Sequence, residues 1–149
     1  MHNKFFSHRQ ASRGFTLMEI MITVAILSIV TAVAVPSYLG QITKGRRADA
    51  IVTLADTAQK LGRCFTESNT YKYDEDDAPT CPQTSDLNTA PNGSDYYDFT
   101  ITTANGGIEY ELEAEAKGVQ KDRDGKCQTL TLNHINEKTQ TPTSDYKCW

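Results

Sequence analysis

The stretch Arg13–Gly40, RGFTLMEIMITVAILSIVTAVAVPSYLG, decides how the rest of the chain is read. From Ile20 to Thr43 there is no charged side chain, 24 residues in all. A helix needs about 20 mostly apolar residues to cross a bilayer, so this run is long enough. Just upstream lies one acid, Glu19, the fifth residue counted from Phe15. A charged side chain at the centre of a membrane helix costs roughly 2.5–3.5 kcal/mol, and less toward the ends. Glu19 therefore reads as a functional group that wants a partner. The bland alternative is a carboxylate that snorkels to the headgroups near the helix end.

Charge is unevenly placed around this run. The 149 residues carry a net charge of −4. Met1 to Gly14 holds Lys4, Arg9 and Arg13 and no acid, and the remainder has 12 basic against 19 acidic residues, or −7. Mean hydropathy is −0.51 despite the apolar run, so everything beyond it is strongly polar. One membrane segment and one modest domain fit these numbers; several spans do not. A polar part this acidic is a poor general nucleic-acid binder, because phosphate contacts need clustered Lys and Arg. Lys44, Arg46 and Arg47 form the one local basic group.

All four cysteines, Cys64, Cys81, Cys127 and Cys148, follow the span. Their spacings of 17, 46 and 21 contain no CxxC knuckle, which argues against zinc and for two disulfides in an oxidising compartment. Four cysteines allow three connectivities. The two local loops, Cys64–Cys81 and Cys127–Cys148, are favoured, each worth about 3 kcal/mol on a loop-entropy argument. The basic leader and the cysteines together favour the N-terminus inside and the polar domain outside the cytoplasm. A cleaved secretory signal is the alternative, with Ala32 and Ala34 imitating a cleavage site, but the apolar run is long for a signal core.

At GFTLMEIMITVAILSIVTAVAVPSY the chain resembles the type IV pilins, in the class with a short basic leader (class III). The family pattern is a glycine, a cleavage point, a phenylalanine, a threonine-leucine pair and a glutamate at the fifth mature position. Gly14, Phe15, Thr16, Leu17 and Glu19 match it, and Pro36-Ser37-Tyr38 follows the apolar helix as in the family. The resemblance implies cleavage by prepilin peptidase between Gly14 and Phe15 and N-methylation of Phe15. It places Phe15 to about Val35 in the inner membrane before assembly. In the fibre it has Glu19 meet the new amino terminus of Phe15 in a neighbouring subunit, a pair that sets register because an unpaired partner is so costly. Ser28 stands where the family often has glycine, beside a segment that unwinds in fibres, here Ser28 to Pro36. Serine breaks a helix less readily than glycine, whereas Pro36, lacking an N–H, still weakens it.

Beyond Pro36 the helical pattern resumes. Ile51, Leu54, Ala55, Ala58, Leu61 and Phe65 form one apolar stripe, opposed by Asp49, Asp56, Lys60 and Arg63. A helix from Phe15 to about Cys64 would span roughly 75 Å, with bends expected at Gly40 and Gly45. Residues 66–95 read as a connecting loop rich in proline, glycine, asparagine and acids. In it, Asp74, Glu75, Asp76 and Asp77 lack the ligand spacing of a calcium loop, and Asn92-Gly93-Ser94 reads as a turn. Two strands follow. Tyr97, Phe99 and Ile101 alternate with Asp98, Thr100 and Thr102, and Ile108, Tyr110, Leu112 and Ala114 alternate with Glu109, Glu111, Glu113 and Glu115. Ala104 to Gly107 supplies the turn between them. A third strand carries Leu130 and Leu132, and KDRDGK, with Asp122, Asp124 and Gly125, reads as a hairpin turn rather than a calcium loop.

The resemblance extends over most of the chain, to the PilE-like minor pilins of the type IVa group. It is carried by GRRADAIVTLADTAQKLGRCFTESNTY, CQTLTLNHINEKT and the terminal CW. It implies a long helix followed by a small antiparallel sheet and a C-terminal loop closed by a disulfide, where Cys127 and Cys148 fall. Cys64 and Cys81 are less characteristic of that group.

Catalysis is not expected. His2 and His8 lie in the leader, leaving His134 without a second histidine, and there is no phosphate-cradling GxxxxGK[ST] or dinucleotide GxGxxG. No cofactor or metal is expected. The expected fold is α+β: a long N-terminal helix, membrane half then amphipathic half, packed on a small antiparallel sheet. The expected segments are a leader (1–14), a fibre-core helix (15–39), an amphipathic helix (40–65), a connecting loop (66–95), and a sheet with its disulfide-closed loop (96–149). The expected role is a minor pilin of a type IV pilus, in assembly and hence twitching, adhesion or DNA uptake. The alternatives are a type II secretion pseudopilin and a surface module binding DNA or another ligand. Expected partners are other major and minor pilins, prepilin peptidase, the inner-membrane assembly machinery and inner-membrane lipid, with nucleic acid disfavoured by charge. The expected location is the bacterial inner membrane, crossed once with the C-terminal domain in the periplasm, and then the cell-surface pilus.

Overall fold

The computed structural model describes residues 14–72, 81–89, 95–143 and 145–149. The acidic run Asp74–Asp77 and the turn at Asn92 lie outside them. The chain divides into two units, Met1–Tyr38 and Leu39–Trp149, with helix α1 (Leu17–Ser68) entering both.

In the first unit, the Thr16 hydroxyl accepts a hydrogen bond from the Glu19 N–H at 3.2 Å and caps the helix. Glu19 thus sits in the first turn, where the helix dipole favours an anion. The hydroxyls of Thr23, Ser28 and Thr31 donate back to the carbonyls of Ile20, Ala25 and Leu27 at 2.7–2.9 Å. Such back-bonding lets small polar residues sit in an apolar helix without orphaned donors. Every residue from Gly14 to Tyr38 is exposed in the isolated chain, including Phe15, Leu17 and Met18 at more than 70%. Pro36 lies inside the helix, which continues uninterrupted through Gly40 and Gly45, so neither glycine breaks it.

The second unit is a helix on a sheet. Strands β1 (Tyr97–Ala104), β2 (Glu109–Ala116), β3 (Thr129–Asn133) and β4 (Lys138–Thr141) pair antiparallel in chain order. The period-two pattern sets their faces: Tyr97, Phe99, Tyr110, Leu112, Ala114, Leu130 and Leu132 are buried and join Ala50, Leu54 and Leu61 of α1 in one core. The face pointing away from this core pairs Thr100 with Glu113, Thr102 with Glu111, and Thr131 with Thr139 across strands. Asn105 and Gly106, both at positive φ, close the first hairpin at the expected place. Gly107 belongs to the same turn for a second reason: a Cβ there would lie 2.3 Å from the Thr70 hydroxyl.

Four local features depart from the expectation. The buried face of α1 is Thr43, Arg47, Ala50, Leu54, Thr57, Leu61 and Cys64, rotated from the apolar-only stripe, so that Ala55 is exposed and Thr57 buried. The helix continues past Cys64 to Ser68. Within the stretch read as loop, a short helix, α2 (Thr84–Thr89), lies against β1. There Asn88 both accepts from the Phe99 N–H and donates to its carbonyl at 2.9 Å, and the Thr84 hydroxyl accepts from Ile101 N–H at 3.0 Å. These side chains stand in for a fifth strand and close that edge. KDRDGK is not a hairpin turn: it overlaps helix α3 (Gly118–Arg123), and Asp124 turns inward.

Candidate functional site

Three parts of the chain hold the residues with a functional reading. The first is the N-terminal segment. Gly14, Phe15 and Thr16 precede the helix and are exposed, Phe15 at 79%. About 20 residues of apolar helix follow them with no cover of their own, and each large side chain left bare forgoes roughly 1.5–3 kcal/mol of burial. This surface is built to be covered by lipid or by other helices.

The second part fixes the head. Arg47 enters the domain and meets Asp124 in a two-pronged pair, Nε to Oδ2 at 2.8 Å and Nη2 to Oδ1 at 2.6 Å. Their side chains are only 9% and 4% exposed. Burial would lower the Arg47 pKa, but the hydrogen bonds and charge of Asp124, with a contribution from Tyr146, raise it above the ordinary guanidinium value. Gln120 from α3 donates to the Thr43 carbonyl, the Tyr97 hydroxyl and Asp124 at 3.1–3.2 Å, tying α1, β1 and α3 together. Burial pushes the Tyr97 phenol up, and likewise Tyr110. Arg46 stacks on the Tyr96 ring with 3.6 Å to its centroid. Two of the three cations of the local basic group are therefore engaged within the domain, and Asp124 is an ion-pair partner rather than a calcium ligand. No metal-holding group of His, Cys, Asp or Glu is present among the described residues.

The third part is the C-terminal loop. Cys127 pairs with Cys148, and Cys64 with Cys81, at Cα separations of 5.7 and 5.2 Å. Around the first bond the tail is pinned to β4: Gln140 donates to the Tyr146 carbonyl and accepts from Cys148 N–H, and the Trp149 indole donates to the Thr139 carbonyl at 2.8 Å. Lys126 lies 5.2 Å from the Tyr146 ring, and Lys138 the same distance from the Trp149 ring. Elsewhere the cations Lys60, Lys117 and Lys121 are paired with Asp56, Asp98 and Glu115. No ion pair among the described residues involves Lys126, Lys138 or Lys147. The sequence reading found no aromatic-basic stripe. The fold sets two cations beside aromatic rings there, Lys126 by Tyr146 and Lys138 by Trp149, around the loop closed by the Cys127–Cys148 bond.

Comparison with known proteins places these parts. The prokaryotic N-terminal methylation motif matches residues 9–35. A family model described as type IV minor pilin ComP, DNA uptake sequence receptor, matches residues 36–131. The chain belongs to this type IV pilin family. A fimbrial protein of Moraxella nonliquefaciens is 31% identical over 91% of this chain and 94% of that protein. The type IV major fimbrial protein FimA of Dichelobacter nodosus is 30% identical over 94% and 88%. The type II secretion system core protein G of Klebsiella michiganensis is 32% identical over 50% and 48%. A type IV pilin structure from Shewanella oneidensis is 25% identical and covers 72% of this chain and 97% of its own, with a TM-score of 0.49.

This pilin is a structural subunit and not an enzyme. Its methylation motif and relatives imply assembly with other pilins and processing by prepilin peptidase. Its apolar N-terminal helix is the element that anchors a pilin in the inner membrane before the pilus. His134 is exposed, its ring centroid 6.4 Å from that of Tyr110, with no catalytic neighbour among the described residues. The burial of Arg47 was the functional feature that the sequence reading missed. The signal was present: counting back from Leu54 in steps of four and three reaches Ala50, Arg47 and Thr43.

Proposed function

We propose that this pilin is a minor subunit that enters a type IV pilus through its N-terminal helix and carries its head on the periplasmic side before assembly. The observation that carries the reading is the bare apolar helix, opened by Thr16 and Glu19, directly after an exposed Gly14–Phe15 bond. In the fibre, Glu19 would take the Phe15 amino group of a neighbour. Two sequence features support the orientation, the basic leader and the cysteines confined to the head. The minor status rests on the family description over residues 36–131. The pseudopilin alternative draws on the half-length likeness to the secretion protein, and the Cys127–Cys148 loop weighs against it. Quantifying the tryptic peptide Ala48–Lys60 in sheared fibres tests the assignment. Trace presence beside a dominant pilin is the expected result. Abundance would make this the major subunit, and absence with the protein retained in the membrane would make it a pseudopilin.

A second reading has its own observation. The family description names a DNA uptake receptor, and the edge of the head that carries Tyr146 and Trp149 also carries Lys126 and Lys138, neither of them in an ion pair among the described residues. DNA capture would use that edge although the whole is acidic, because phosphates respond to local charge within a Debye length of about 8–10 Å. Purified protein should then bind DNA with affinity that falls steeply with salt. The triple substitution of Lys126, Lys138 and Lys147 to alanine should remove that binding, and unchanged binding would end this reading.

A further inference from the structure

Lys44, Arg46 and Arg47 lie just past the uncharged run, on the flank where the positive-inside tendency disfavours cations once the leader faces the cytoplasm. Two of them are absorbed by the head: Arg46 stacks on Tyr96, and Arg47 is neutralised by Asp124. Lys44 is left exposed, with no ion pair among the described residues. It stands one turn before Arg47 and two turns before Ile51, on the side of α1 that meets Tyr146 and Trp149 of the tail.

The fold adds charge at this level of the helix. Gln120 donates to the Thr43 carbonyl and Asp124 holds Arg47, which brings Arg123 and Lys126, close to Asp124 in the chain, to the same level. The Tyr146 ring centroid lies 5.4 Å from the Arg47 guanidinium carbon and 5.2 Å from Lys126 Nζ, and Lys147 follows it in the tail. Lys44, Arg123, Lys126 and Lys147 are all exposed, outnumber the nearby Asp122 and Asp145, and enter no ion pair among the described residues.

We propose that this cluster binds the anionic headgroups of the leaflet from which α1 emerges, holding the head against the membrane until the subunit is drawn into a fibre. The inference rests on the reading of α1 as a membrane anchor. Lys44 is the first charge past the uncharged run, and a helix rises only about 1.5 Å per residue, so its ammonium reaches headgroup depth. Tyr146, at 37% exposure, is the amphipathic aromatic that suits a membrane–water boundary. Four exposed cations spread over α1, the end of α3 and the tail meet several headgroups at once rather than cage one phosphate.

Full-length pilin would be placed in nanodiscs of phosphatidylcholine alone or with about one-third phosphatidylglycerol. The acylation rate of each lysine by a neutral reagent would then be read by mass spectrometry. At low salt, Lys44, Lys126 and Lys147 are expected to react about fivefold more slowly on the anionic discs, the factor that one lysine contributes at such a surface, and to recover at high salt. Lys60, about 24 Å further along α1, and Lys72 should react alike on both. Arg123→Glu with Lys147→Glu should return Lys126 to its rate on neutral discs, with circular dichroism unchanged. Equal Lys126 rates on the two discs, protection shared by Lys60 and Lys72, or protection that survives the double charge reversal would each overturn the lipid site while the anchor stands. Protection by duplex DNA and not by phosphatidylglycerol would also overturn it and leave DNA capture standing. Pilin that enters neither disc would remove the anchor and this inference together.

Discussion

Replacing Asp124 by alanine is expected to be the most damaging single change in the head outside the apolar core. The carboxylate is 4% exposed and receives both prongs of an Arg47 guanidinium that is itself only 9% exposed. Removing it leaves a cation that water cannot reach and also strips an acceptor from Gln120 at 3.2 Å. Breaking a buried pair from one side costs about 3–5 kcal/mol. For a domain near 100 residues, each kcal/mol moves the midpoint by about 4–8 °C, so the loss should exceed about 10 °C. The paired replacement Arg47→Met with Asp124→Leu should recover most of this loss, because two apolar side chains remove both charges at once. Thermal and urea unfolding of the oxidised protein, followed by circular dichroism, would measure all three. Lys60→Ala, which breaks an exposed pair at 2.7 Å, serves as control and should cost about 0.5 kcal/mol or less. An Asp124→Ala cost below 1 kcal/mol, or a double variant no better than the single one, would refute the claim that this pair is shielded from water.

Asn88→Ala removes both hydrogen bonds to the Phe99 backbone and should cost about 1–3 kcal/mol in urea unfolding, whereas Gln59→Ala, at an exposed position of α1, should cost almost nothing. Tyr97 and Tyr110 should ionise only above the free phenol value in an ultraviolet titration. Burial raises their folded pKa values, so their contribution to stability is complete below the free phenol value of about 10 and is lost as pH climbs through the folded values. Tyr97 and Tyr110 phenols that ionise at the free value in the native protein would contradict this. Gly14→Arg should leave a full-length membrane form on immunoblots. Glu19→Ala should be cleaved but depleted from sheared fibres, and its normal incorporation would remove the intersubunit pair.

Much of the fold was legible in the chain because two periodicities are strong. Alternation over Tyr97–Ile101 and Tyr110–Ala114 predicted which faces are buried, while Ile108, expected on the same apolar face, lies before β2 and is exposed; the uncharged run predicted the first helix. β4 had no such signal. Its residues Lys138–Thr141 are polar throughout, and the strand exists because β3 offers a partner and the disulfide-bound tail holds it. The register of α1 was misread for a related reason. Only apolar residues were counted, yet the buried face includes a threonine pair and an arginine whose charge is met inside. Thr43 and Thr57 bond back to Leu39 and Thr53, which makes their burial cheap. A hydrophobic stripe read from composition alone turns away from its true centre wherever polar residues arrive with their partners.

The same error in kind underlies the argument from net charge. An excess of acids excludes phosphate binding only if charges are mixed evenly, and here they are not. Asp56, Asp98 and Glu115 each neutralise one cation away from the tail, Asp124 neutralises Arg47 beside Tyr146, and the remaining β2 acids lie on the face opposite the core. The C-terminal loop, closed by the Cys127–Cys148 disulfide, sets Lys126 and Lys138 beside the rings of Tyr146 and Trp149. Reducing that bond should therefore disperse the patch before it unfolds the sheet, since Tyr97, Leu112 and Leu130 need no disulfide to pack. The test is Cys127→Ala with Cys148→Ala, with Trp149 emission read beside circular dichroism. A red-shifted emission with strand signal retained is expected. Unshifted emission would mean that Trp149 is seated by Thr139 and the core alone, and that the disulfide does not organise this edge.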